Sequence, residues 1–295
     1  MDYELIECMS KIKNIRKLIT KIEKLFYRVE IFFRRNIWKN NFYFFFNVAS
    51  HCNLNCVGCY SFSPLADKQF VDIETFKNDC EKFAEIAKKY VYKISLMGGE
   101  PLLHKDIVEI IEITRNNFKK CKITLVTNGI LLDRMTANFW EACKNNKVII
   151  NITPYPIKIN FQKIMEQSKL YSVTVKNYVN LNKKNNMIKG TLDLEGSQNA
   201  KKMFKKCKDS RYCHIVRDGK FYICPKVGQI NHFNKYFSKN MEVTAADYID
   251  IHKINDVKEL LKYKNSPIPF CRYCNIDAHE LTDWRPSKRE ISEWV

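Results

Sequence analysis

The chain has 295 residues, with 50 Lys and Arg against 32 Asp and Glu, a net charge of +18, and 45% hydrophobic residues. That is length for one large domain, or one with a small appendage, and apolar content enough for a sizeable core. No long uncharged apolar run is present, and Met1-Asp2-Tyr3-Glu4 lacks the basic-then-apolar pattern of a secretory signal, so a membrane span is excluded and the protein is read as cytoplasmic.

Residues 1–40 read as a basic amphipathic helix, with Ile12, Ile15, Leu18, Ile22, Leu25, Val29 and Phe32 at three- and four-residue steps between Lys and Arg. Such a helix lies on an anionic membrane surface, rests against another protein, or packs on its own domain. From there the pattern alternates. Asn41–Val48 is predicted as a strand, Asp72–Tyr90 as a helix, Tyr92–Met97 as a strand and Lys105–Asn117 as a helix. Lys122–Thr127 follows as a strand, Asp133–Asn145 as a helix, Lys147–Ile152 as a strand, Asn160–Ser168 as a helix and Tyr171–Val175 as a strand. Short β-branched runs separated by helices predict an α/β fold with a parallel sheet, here a partial (β/α)6 TIM-type barrel over 41–190. After about Gly190 paired cysteines replace the alternation, and 191–295 is expected to form a small Cys-rich module. The basic balance favours an anionic partner or a solvated lysine-rich surface; with no nucleic-acid motif, no nucleic-acid partner is expected.

Twelve cysteines in a cytosolic chain point to metal or catalysis rather than disulfides. Cys8, Cys80, Cys121 and Cys143 are scattered and read as small buried hydrophobes. Cys52, Cys56 and Cys59, spaced x3 and x2, follow the first strand's carboxyl end, where α/β folds place their sites. Four thiolates usually hold a [4Fe–4S] cluster, so three leave one iron open, as the open position of a catalytic zinc does. The competing reading is zinc completed by His51 or another ligand, although His51 directly neighbours Cys52. Cys213 and Cys224 flank Asp218-Gly219, a hairpin signal, and Cys271-x2-Cys274 has metal-ligand spacing. These four thiols suffice for an iron–sulfur cluster or a structural zinc, and Cys207 is a fifth candidate able to replace Cys213.

The Cys52–Cys59 spacing and Gly98-Gly99-Glu100-Pro101, continued by Leu102-Leu103-His104 after the second strand, together resemble the radical S-adenosylmethionine (SAM) superfamily. The resemblance covers residues 42–180 and extends loosely to about 280. It implies a [4Fe–4S] cluster on Cys52, Cys56 and Cys59 whose open iron takes the amino and carboxylate groups of S-adenosyl-L-methionine. Reductive cleavage would then give a 5′-deoxyadenosyl radical that abstracts a substrate hydrogen, with an external donor such as flavodoxin or ferredoxin supplying the electron. Gly98 and Gly99 would let backbone pass close to the cofactor, Glu100 would take its ammonium, and Pro101 would stiffen the chain. Asn128, in Thr127-Asn128-Gly129, and Thr153, with Asn151, match more loosely at the ends of the third and fourth strands; Asn128-Gly129 is also a good turn. The family's aromatic residue before the third Cys is here Gly58, and Tyr60 follows the cluster instead.

The later thiols, Cys213, Cys224, Cys271 and Cys274, resemble the SPASM and shorter Twitch extensions of radical enzymes, implying an auxiliary [4Fe–4S] cluster. A short C-terminal module, no strand-rich leader-binding module and a basic surface lead to an expected function. It is dehydrogenation or epimerisation of a sugar-like or phosphorylated small metabolite by an oxidoreductase or epimerase. Cys143 and Cys207 are conceivable hydrogen donors for epimerisation, though each also suits a structural role. Peptide modification, or a non-catalytic iron–sulfur or zinc protein, are the alternatives. The stretch Trp284-Arg285-Pro286-Ser287-Lys288-Arg289-Glu290 resembles tails from bacterial polysaccharide-type gene neighbourhoods.

Overall fold

Phe42, Phe44, Phe46 and Val48 share one face of the first strand, β1 (Phe42–Ala49), and all are buried. They pack on helix α1 (Ile73–Ala87), where Phe44 meets Phe83 at 4.6 Å and Phe46 meets Phe76 at 5.0 Å between ring centroids. The opposite face carries Tyr43, Phe45 and Asn47. There the Tyr43 hydroxyl bonds Ser95 Oγ at 3.2 Å, and Ser95 Oγ bonds Thr124 Oγ1 at 2.6 Å. Burial on both faces is why the strand reads as a nearly unbroken apolar run. The computed structural model describes residues 42–177 and 186–295. The expected helix over 1–40, with Cys8, lies outside the described residues.

Helix α1 begins where Asp72 Oδ1 accepts the Thr75 N–H at 3.0 Å, an N-cap, and buries Phe76, Cys80, Phe83, Ala84 and Ala87 at helical spacing. The order continues with β2 (Val91–Gly98), α2 (Ile107–Asn117), β3 (Lys122–Thr127), α3 (Ala137–Asn145), β4 (Val148–Ile152), α4 (Phe161–Leu170) and β5 (Val175–Asn177). Then come β6 (Asn186–Lys189), α5 (Ala200–Lys206), α6 (Asp209–Tyr212), β7 (His214–Arg217), β8 (Lys220–Tyr222), α7 (Pro225–Phe237), β9 (Ile249–Asp250), α8 (Val257–Lys264) and β10 (Glu280–Asp283).

The main sheet runs β5-β4-β3-β2-β1-β7-β8-β9. Its first six strands are parallel, the open α/β barrel arrangement the alternation predicts, and β8 and β9 extend it antiparallel. The sheet crosses the expected boundary at 190/191: β7 lies beside β1, with Phe45 opposite Ile215, and residues 42–295 form one compact unit. The β7–β8 turn is the expected hairpin, with positive φ at Asp218 (49°) and Gly219 (71°), as a type I′ turn requires. Buried Asp79 of α1 secures it, accepting the Gly219 N–H at 2.7 Å while its other oxygen meets His252 Nε2 at 2.8 Å.

The helix expected over Asp72–Tyr90 ends at Ala87 and that over Lys105–Asn117 starts at Ile107, and two further elements differ more. Helix α4 runs on to Leu170, so Tyr171 is its C-cap and stacks on Trp140, and the strand starts later, at Val175. The predicted Asp133–Asn145 helix is a 3-10 turn (Leu132–Arg134) and α3, separated by extended backbone at Met135 and Thr136. Cys80, Cys121 and Cys143 are buried in the apolar core. No helix among the described residues is long and apolar enough to cross a membrane.

Candidate functional site

The site is built on the carboxyl ends of the parallel strands. β1 ends at Ala49 and passes into the loop carrying Cys52, Cys56 and Cys59. β2 ends in the glycine pair, and its backbone continues alongside this loop: the Gly99 N–H donates to Ala49 O at 2.6 Å and the Glu100 N–H to His51 O at 2.9 Å. A Cβ on Gly98 would stand 2.2 Å from Ala49 O, and one on Gly99 would stand 2.1 Å from His51 O. The glycines are thus required by the approach of two strand ends, before any cofactor is considered.

One cavity of about 610 Å³ opens at these ends. Cys52, Cys56, Cys59, Tyr60, Gly98, Gly99, Asn128 and Thr153 all line it, together with Cys213. Glu100 and Pro101 do not. Glu100 is fully buried beside the cavity, where Oε1 accepts from Leu102 N at 3.0 Å and Thr127 Oγ1 at 2.8 Å, and Oε2 accepts from Asn128 N at 2.9 Å. Burial pushes its carboxyl up to about 7 against the pull of those bonds. Asn128 closes its own turn by accepting from Ile130 N at 2.9 Å, and its amide donates to Asn53 Oδ1 at 2.8 Å. It therefore serves the turn and the thiol loop at once.

The thiols sit among N–H donors. Cys52 Sγ accepts from Leu54 N at 3.3 Å and is approached by Asn128 Nδ2 at 3.7 Å; Cys56 Sγ accepts from Trp284 Nε1 at 3.2 Å. Without a metal, burial pushes Cys52 up to about 12, with Glu100, Cys59 and Cys56 adding to the rise. Among the described residues no three or more His, Cys, Asp or Glu side chains are set to hold one metal ion. A four-iron cluster makes a different demand, one thiolate per iron, and three neighbouring thiols on one wall, two of them already receiving N–H groups, fit it. Gly58 adopts φ 60°, a left-handed conformation that an aromatic residue rarely takes, which accounts for the residue found there.

A segment far along the chain clamps this loop. Val57 N donates to Arg285 O at 3.0 Å, Ser287 N to Asn55 O at 3.0 Å, and Trp294 Nε1 to Cys59 O at 3.0 Å. Glu293 organises the segment, accepting from Arg285 at 2.6 Å, from Lys288 N at 3.0 Å and from Ser287 Oγ. Burial opposes its charge, yet these bonds hold its carboxyl below the usual range. Trp284 and Trp294 go unassigned in the sequence analysis; the only signal is the unusual Trp284–Glu290 stretch.

The second thiol group lies behind Tyr60. Cys224 caps the start of α7, with the Val227 N–H directed at its sulfur. Burial raises the Cys224 thiol, and Cys274, Cys207 and Cys271 stand close enough to add to the rise. Cys274 likewise feels Cys207, and Cys271 feels Cys274 and Cys207. Cys213 interacts with Asp209 and Cys207 and faces the cavity. The group that comes together is thus Cys207, Cys224, Cys271 and Cys274, whereas the hairpin reading pairs Cys213 with Cys224. Buried Lys226 sits between the two regions, 4.6 Å from the Tyr60 ring centroid and donating to Gly190 O at 3.0 Å.

Comparison with known proteins agrees with this geometry. The family model of the Radical SAM superfamily matches residues 46–192. Probable GTP 3′,8-cyclases of Methanothermobacter thermautotrophicus and Methanothermobacter marburgensis are 37% and 35% identical over 97 residues, 32% of this chain and 30% of each relative. The match therefore spans less than a third of those relatives' length. Among solved structures, BtrN in complex with AdoMet and 2-DOIA gives a TM-score of 0.48 at 16% identity, covering 79% of this chain and 92% of that one. Native anSMEcpe with bound AdoMet gives 0.37 at 18% identity, covering 59% and 50%. The chain belongs to the radical SAM superfamily. Membership implies a [4Fe–4S] cluster and S-adenosylmethionine, and action on a small molecule or peptide with the help of a reductant.

Proposed function

We propose that Cys52, Cys56 and Cys59 hold a [4Fe–4S] cluster with one iron left for S-adenosylmethionine, and that the enzyme dehydrogenates or epimerises a carbinol centre of a small metabolite. One observation carries the reading: the three thiols, the glycine pair, Asn128 and Thr153 line a single cavity of about 610 Å³, within the range of small-molecule sites. Bound there, the cluster and S-adenosylmethionine supply the one-electron cleavage that yields a hydrogen-abstracting radical. The chain's own part is to hold and orient. Leu54, Asn128 and Trp284 direct N–H groups at the sulfurs. Glu100, outside the cavity, fixes the Asn128 backbone from behind the wall. Tyr60 and Tyr155 supply walls that exclude water.

Oxidation of a carbinol needs an electron acceptor within reach. We assign that role to an auxiliary [4Fe–4S] cluster on Cys207, Cys224, Cys271 and Cys274, a reading supported by their mutual proximity. The GTP cyclases share too little of their length with this chain to carry their substrate across.

The test is direct. Anaerobically reconstituted protein, reduced and given S-adenosylmethionine, is expected to release 5′-deoxyadenosine. The variant with Cys52, Cys56 and Cys59 all changed to Ala is expected to release none while keeping its far-ultraviolet circular dichroism. Product from that variant, or zinc at these thiols in anaerobically prepared wild type, would overturn the reading.

A further inference from the structure

We propose that the cavity contains a substrate subsite formed by Asn47, Ser63 and Gln229, built for a polyhydroxylated small molecule that carries no phosphate. The inference rests on the enzyme reading above and narrows its substrate.

The three side chains come from separate parts of the chain: β1, the turn Ser63–Leu65 and helix α7. All line the cavity, and they are 7%, 4% and 2% exposed. Both amide atoms of Asn47, the Ser63 hydroxyl and Gln229 Oε1 have no hydrogen-bond partner. Folded proteins pair nearly all such atoms, because a buried polar group without a partner has given up water for nothing. These atoms all lie just under the cavity wall, closed to water, and a rotamer change in three side chains would turn them toward a ligand. Apolar Phe45, opposite Ile215 across the β1–β7 pair, provides a wall for the carbon face of that ligand. The subsite lies on the β1–β7 side and reaches the glycine pair through Asn47, whose Oδ1 a Cβ on Gly98 would meet at 2.2 Å, while Asn128 and Thr153 lie at the ends of β3 and β4.

The chemistry of the ligand follows from the donor set. Asn47 and Ser63 each donate and accept, and an amide such as Gln229 can present either atom, which matches hydroxyl groups that also do both. Charge sets the other limit. Although the chain carries +18, no Lys, Arg or His among the described residues lines the cavity, and Asp209 is the one carboxylate among them. Phosphate is ordinarily met by Arg, Lys or a row of backbone N–H groups, and a carboxylate repels it.

Reduced holoenzyme with S-adenosylmethionine is to be given inositols, hexoses and amino sugars, each beside its monophosphate, and 5′-deoxyadenosine formation followed. At least one free compound is expected to accelerate it tenfold or more, its monophosphate is not, and Gln229→Met is expected to cut the acceleration at least tenfold. Acceleration by a monophosphate instead, none by any free compound, or full acceleration in Gln229→Met overturns the subsite. Absence of 5′-deoxyadenosine under every condition, substrate-free included, is the separate failure of the enzyme reading. Thermal unfolding without added ligand gives a second check. Ser63→Ala and Gln229→Met are expected to raise the midpoint by about 2 °C by removing partnerless atoms. A fall of that size in both would mark them as structural and overturn the proposal.

Discussion

Glu100 lies in the family motif, yet its carboxylate is spent on Leu102, Thr127 and Asn128. Its carboxyl is raised from 4.5 to about 7, with burial the largest cause. A raised acid binds its proton more tightly when folded, so its stabilising contribution is complete below pH 4.5 and is lost as pH rises through 7. Glu100→Gln is therefore expected to remove a decline of about 3 kcal/mol across that window. Urea unfolding of both proteins between pH 4.5 and 7.5 reads it, and parallel pH profiles would refute the assignment. Trp284 offers a different handle. If Cys56 ligates the proposed cluster, the Trp284 N–H on its sulfur stabilises the more negative, reduced form. Trp284→Phe should lower the potential of the first cluster by about 40 mV, the equivalent of one hydrogen bond of roughly 1 kcal/mol, at unchanged iron content. A redox titration followed by electron resonance decides it, an unmoved midpoint counting against the bond.

At the scale of elements, the site depends on two strand ends touching. The glycine pair lets β2 run against Ala49 and His51, and neither neighbour can yield, because both contacts are backbone. Gly99→Ala should cost about 3 kcal/mol in urea unfolding, at the upper end for overpacking, and an unchanged midpoint would mean the strands have room. Much at this scale is legible in the amino-acid string. Strand–helix alternation, the Asp72 cap and the Asp218–Gly219 turn are local, and local signals survive in sequence. Asn47 is legible too, as one polar residue inside the apolar run Phe42–Ser50. The place of β7 beside β1 is not, because pairing order depends on contacts about 170 positions apart that no periodicity encodes. The same limit hides Trp284 and Trp294. The choice between Cys207 and Cys213 is hidden for another reason: both flank the short helix α6, and only tertiary packing turns one inward and the other to the cavity.

Over the whole molecule, the two thiol groups belong to one compact unit and approach each other at Tyr60, which follows Cys59 in sequence and lies near Cys207, Cys274 and Cys213. If the second group holds its own cluster, Cys207→Ala should lose about four irons per chain and Cys213→Ala none, as read by anaerobic iron and sulfide analysis. Equal losses in both would return Cys213 to the ligand set. The clamp on the first group has a consequence for how the protein is made. Cys56 and Trp284 are 228 positions apart. At the usual pace of translation, the thiol loop is synthesised roughly 10 to 45 s before its partner tryptophan exists. During that interval the nascent thiols have neither clamp nor finished pocket, so loading of the proposed cluster belongs after chain release, and oxygen met earlier would strike them unprotected.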